Sequence, residues 1–191
     1  ALQLIGSLKA GDMGNDVAAL LLSPDAMVAD TARETLAHLG GSDHLGLVAK
    51  IAADRNRPID QRVTLVKMLA EKADDVSTTN AQGKATLASL RTLLTALETE
   101  GAPALLRVAV PLRLALCRTS AEAKTTIEAL LAQSASASRI AGLSALSLRD
   151  LPYSVRQQAE KAVPPLAMLA VPLLEAREPE VVAAAAQALA A

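Results

Sequence analysis

The sequence predicts an all-α protein whose helices stack as an α-solenoid of about five helical hairpins. Three observations carry that expectation. Apolar residues recur at helical spacing throughout the 191 residues, with none of the alternating runs of Val, Ile, Thr and aromatics that mark strands. The composition favours helix, with 41 Ala and 33 Leu against no Phe, no Trp and one Tyr. A two-helix pattern also returns at irregular intervals of 33, 45, 32 and 43 residues.

Turn signals divide the chain in order. They fall at Gly11–Gly14, Ser23-Pro24, Gly40-Gly41-Ser42, Arg55–Pro58, Asp74–Asn80, Gly101–Pro103, Thr119-Ser120, Ser134–Ser138, Leu151-Pro152 and Glu178-Pro179. Asp25–Leu39 shows a whole helical unit. Val28, Ala32, Leu36 and Leu39 fall on one face, Ser23-Pro24-Asp25 supplies the start, and Gly40-Gly41 supplies a left-handed stop. Pro58 opens a helix with Ile59, Val63, Val66 and Leu69 on one face, and Pro103 opens another. Ser138-Arg139 leads into Ile140, Leu143 and Leu146, and Pro179 into Val181, Ala185 and Leu189. Pro111 should kink its helix and add curvature.

These helices share a register. A key position is followed by an apolar or small residue at +3 and an apolar one at +7. The sets are Ala29/Ala32/Leu36, Arg62/Leu65/Leu69, Arg107/Val110/Leu114, Arg139/Gly142/Leu146 and Val182/Ala185/Leu189. Each interval holds one further helix: Asp43–Ala53, Ala81–Thr99, Ala121–Gln133 and Tyr153–Ala176, the last broken at Pro164-Pro165. Tyr153 begins either a separate short helix or a long kinked one, and the long one is expected.

The segments Ser23-Pro24-Asp25…Val28…Ala32…Leu36…Leu39-Gly40, Leu151-Pro152-Tyr153-Ser154-Val155-Arg156…Ala159…Val163 and Glu178-Pro179-Glu180-Val181-Val182…Ala185…Leu189 resemble the second helix of HEAT repeats. That family's pattern runs Asp-Pro, Val-Arg, Ala, then Ala-Leu. The Val-Arg pair is intact only at Val155-Arg156, with Leu106-Arg107 and Gln61-Arg62 as near forms. The resemblance implies a right-handed α-solenoid of about five HEAT-like hairpins over residues 1–191, a single repeat domain within a longer chain. It specifies a fold more than a function.

Composition excludes several classes. One cysteine, Cys117, rules out a disulfide framework and a Cys-paired zinc site. The longest uncharged apolar stretch, Ala162–Leu174, has 13 residues and includes Pro164, Pro165 and Pro172, whereas a membrane span needs about 20. Net charge is −1, which gives no general field for nucleic acid, and the lack of aromatics removes stacking platforms.

Individual residues yield little chemistry. His38 and His44 straddle a Gly-Gly turn, a poor geometry for a metal, and neither has a Ser or Cys partner. Cys117 reads as a buried small hydrophobe, with Arg113 and Arg118 nearby. Asp74-Asp75 reads as a solvated loop, and Gly11-Asp12-Met13-Gly14 lacks the Lys and preceding strand of a phosphate loop. No catalytic residue, metal site or cofactor is expected.

The middle third stands apart in charge. Residues 1–60 carry five basic and eight acidic groups, 61–119 eight and five, and 120–191 six and seven. Lys84 and Arg91 share a helix face, as do Arg107 and Arg118 at a spacing of eleven. These four are the candidate partner-binding residues.

The functional expectation is therefore a non-catalytic scaffold for protein–protein contact. Its partner is another protein or further repeats of its own chain, with no nucleic acid and no membrane span. Two alternatives remain. One is an enzyme or enzyme subunit of the HEAT-like lyase or glycosylase type, although the aromatic lining of such sites is missing. The other is a structural segment of a larger assembly. Val181–Ala191 has Gln187 as its only polar side chain, so more repeats beyond it, or an oligomer through that helix, are expected. A single unpaired cysteine suits a reducing cytoplasm.

Overall fold

The computed structural model describes residues 13–39, 44–148, 151–161 and 165–190. Among them are ten α-helices, three 3₁₀ segments and no strand. The chain divides into two compact units, Ala1–Leu112 and Arg113–Ala191.

In the first unit, α1 (Gly14–Ala19) runs into a 3₁₀ turn, Leu20–Leu22. Then come α2 (Ala26–His38), α3 (Leu45–Ala53), α4 (Ile59–Lys72) with a 3₁₀ turn at Ala73–Asp75, and α5 (Ala81–Glu100). The division falls within α6 (Pro103–Ala115). The second unit holds α7 (Ser120–Leu131), α8 (Ser136–Ala145), α9 (Tyr153–Glu160), a 3₁₀ helix at Leu166–Glu175, and α10 (Pro179–Ala190).

Side chains set the helix starts. The Asp25 carboxylate accepts from the Met27 and Val28 amides at 2.9 and 3.4 Å and opens α2. The Asn80 side chain accepts from the Gly83 amide at 2.6 Å and opens α5. At α7, Thr119 Oγ1 accepts from the Glu122 amide at 3.1 Å, while the Glu122 carboxylate accepts from the Arg118 amide at 2.7 Å, a close relative of the capping box. The prolines serve two positions. Pro103 and Pro179 are first helical residues, whereas Pro58 and Pro152 stand just before α4 and α9 in extended conformation. Gly101 ends α5 at φ +71°, the left-handed stop that glycine adopts without a Cβ penalty. Gly40-Gly41 lie outside the described residues. Leu148, at φ +60°, is a left-handed residue that its side chain gives no reason to expect.

The interior is aliphatic, as the composition demands. Leu36, Leu39, Leu45, Leu69, Leu90, Leu93 and Leu97 are fully buried in the first unit, and Leu114, Ile127 and Leu143 in the second. Each such side chain contributes about 2 kcal/mol. The lone Tyr153 is 65 % exposed. In the first unit α3 packs on α4, α5 and α1, and α2 on α1 and the Leu20–Leu22 turn. In the second, α8 packs on α7 and α10, α9 on α7, and the Leu166–Glu175 helix on α10. Gly142 permits a close approach of α8 to α7: a Cβ there would come within 3.0 Å of Leu130 Cβ.

The shared register faces inward. Ala32, Leu36, Leu65, Leu69, Leu114, Leu146 and Ala185 are buried, while Val110 and Leu189 are half-buried. One expectation changes. The long kinked helix over Tyr153–Ala176 does not form: α9 ends at Glu160, and Leu166–Glu175 winds as a 3₁₀ helix. Pro165 stands extended before that helix and Pro172 lies inside it. Neither has an amide hydrogen for an α ladder. Pro111 lies inside the continuous helix α6.

Candidate functional site

Three of the four candidate basic residues belong to the first unit. Lys84 and Arg91 project from α5 and Arg107 from α6, and all three are exposed. On α5 the opposite side (Gly83, Thr86, Leu87, Leu90, Leu93 and Leu97) is buried, which fixes the outward direction of Lys84 and Arg91. Arg118 lies in the second unit and is half-buried. Its guanidinium donates to the Ala115 carbonyl at 2.8 Å and the Cys117 carbonyl at 3.2 Å, so it serves the end of its own helix.

The strongest polar constellations are two Arg–Glu pairs. Arg62 on α4 has a side chain only 3 % exposed. Its Nε donates to the Ala52 carbonyl at 2.8 Å, and its two terminal nitrogens donate to Glu100 at 2.9 and 2.7 Å. One guanidinium thus ties the end of α3 and the end of α5 to α4. Arg55 adds a second charge 3.7 Å from Glu100. The hydrogen bond from Arg62 holds the Glu100 carboxyl below its usual range; partial burial opposes this, and the charges of Arg62 and Arg55 reinforce it. In the second unit Arg139 on α8 donates to Glu178 at 2.5 Å, immediately before α10, and lowers the Glu178 carboxyl in the same way. The register marked Arg62 and Arg139 as equivalent positions. It did not identify Glu100 and Glu178, 38 and 39 residues downstream. The matching separations were the available signal.

The remaining candidates are the cysteine and the two histidines. Cys117 is buried, and desolvation raises its thiol despite the nearby Thr126 hydroxyl, so it stays protonated at neutral pH. His44 is 1 % exposed and sits against Gly14, where a Cβ would lie 2.7 Å from Nδ1; His38 is exposed. Among the described residues no group of three or more His, Cys, Asp or Glu comes together as a metal would require. None of their helices is long and apolar enough to cross a membrane.

A shallow depression is lined by Leu21, Ala29, Arg33, Arg57, Gln61 and Leu65. Its two cations are engaged: Arg33 with Asp30, and Arg57 with the Leu21 carbonyl at 3.2 Å and with Asp54 at 3.9 Å. Elsewhere an apolar row lies in the open. Met168, Val171 and Leu174, spaced by three on a 3₁₀ helix of three residues per turn, are 52, 41 and 40 % exposed. Comparison with known proteins brings no match to the chain, from family models, from curated proteins or from solved structures.

Proposed function

We propose that the protein is a non-catalytic scaffold of HEAT-like helical hairpins, stacked as an α-solenoid and used for protein–protein contact. The observation that carries the reading is the shared register. Equivalent +3 and +7 positions on helices far apart in sequence turn inward, and for the helices other than α6 the main packing partners lie within three elements along the chain. Units that pack chiefly on their neighbours are how a solenoid is built, and its outer faces are left for partners. The Met168, Val171 and Leu174 row supports the same reading, since protein contacts cover apolar surface of this kind.

Photo-crosslinking tests it. A cross-linking side chain at Met168 or at Ala88, both exposed, is expected to capture one reproducible protein in an extract of the source cells. A chain that remains monomeric and captures nothing at either position refutes the scaffold. Release of a product from a small-molecule substrate by the purified chain would favour the enzymatic alternative.

A further inference from the structure

We propose that the outer face of α5 docks an acidic helix of a partner protein, whose carboxylates seven residues apart meet Lys84 and Arg91. The inference rests on the scaffold reading and names the chemistry of one partner. Lys84 and Arg91 are the only charged residues between Asp75 and Glu98. Both are exposed, and neither forms a salt bridge with a described residue. Other exposed lysines differ: Lys50 and Lys67 each have a carboxylate four residues on, Asp54 and Glu71, on or at the end of their own helix. Lys84 and Arg91 have none within a turn in either direction.

The geometry selects the partner. Seven residues of α-helix rise about 10.5 Å and complete nearly two turns, so the two cations stand in line. A second helix presents carboxylates at the same interval when they too are seven residues apart. The outward residues around the cations are Ala85, Ala88 and Thr92, all exposed. Their short side chains let a second helix approach to about 8–10 Å between axes. The charges give orientation and register, because a single exposed ion pair contributes little affinity.

The test uses the full chain and a labelled Ala-based helical peptide with Glu at i and i+7, followed by fluorescence anisotropy at low salt. Binding is expected, and Lys84→Glu/Arg91→Glu should weaken it about tenfold or more through lost attraction and new repulsion. Circular dichroism and melting should be unchanged. Lys67→Glu/Lys161→Glu, an equal change of net charge at exposed sites, should leave binding intact. A proline-broken peptide of the same composition should bind more weakly, as should all complexes at about 1 M salt, where screening acts within about 3 Å. The proposal is overturned by an absence of binding, by binding indifferent to the Lys84→Glu/Arg91→Glu change, or by equal affinity for a short RNA. If the acidic helix fails while cross-linking still captures a protein, the scaffold stands and this assignment falls.

Discussion

Replacing Arg62 by Met removes one guanidinium and keeps most of its apolar stem, so the change isolates the polar contacts. Three hydrogen bonds disappear, two to Glu100 and one to the Ala52 carbonyl. Breaking a buried pair from one side costs about 3–5 kcal/mol. The lower end applies here, because Glu100 retains 20 % exposure and still has Arg55 at 3.7 Å. The expected loss is about 3 kcal/mol, a fall of roughly 1.5 M in the urea midpoint at a slope of about 2 kcal/mol/M. Arg139→Met is the internal comparison. That pair is 15 and 34 % exposed, so water replaces much of it, and about 1 kcal/mol is expected. Acid supplies a second check. The Glu100 carboxyl is lower in the folded than in the unfolded protein, so its contribution is complete above the unfolded value near 4.5. It disappears as pH falls through the lowered folded value. The difference between parent and Arg62→Met should therefore narrow below that range. Equal midpoints for parent and Arg62→Met, or a greater loss from Arg139→Met, would refute the reasoning.

The glycines give a prediction of sign. Gly83→Ala should destabilise by about 1–3 kcal/mol in thermal or urea melts, because its Cβ would fall on the Ser77 carbonyl and disturb the Asn80 cap. Gly46→Ala, whose Cβ would meet the Ser89 hydroxyl at an ordinary 3.7 Å, should instead stabilise by up to about 1 kcal/mol. Cys117 should resist alkylation in the native protein at neutral pH and react at once in denaturant, as followed by mass; rapid native labelling would contradict its burial and raised thiol. The Glu178 carboxyl is also lowered in the fold, so the parent should lose stability as pH falls below the ordinary carboxylate range, and Glu178→Gln should flatten that acid limb of the pH–stability curve.

Helix existence was legible because it depends on local chemistry. Asp25, Asn80 and Thr119 cap from their own side chains, Gly101 stops α5 with positive φ, and the +3 and +7 positions are read by counting. The segment after Tyr153 was misread because helical spacing alone does not separate an α-helix from a 3₁₀ helix. The missing amide hydrogens of Pro165 and Pro172 bear on that choice, and their effect depends on what else packs there. The basic residues were found as charges in a helical register. What became of those charges depended on the folded surroundings, which the spacing of charges along a helix does not report. Arg118 turned to the carbonyls at its own helix end, while Lys84 and Arg91 stayed in solvent.

The key-position arginines connect the fold to its surface. Arg62, Arg107 and Arg139 occupy one register position on three helices. Arg62 and Arg139 each find a Glu 38 or 39 residues downstream, and their side chains are 3 and 15 % exposed. At the same distance from Arg107 stand Ala145 and Leu146, which are apolar, and Arg107 is exposed. A buried guanidinium without a carboxylate would cost several kcal/mol, which accords with the exposed position of Arg107. The basic middle of the chain, with eight basic and five acidic groups over residues 61–119, thus holds one register arginine tied to a carboxylate, Arg62, and one in solvent, Arg107.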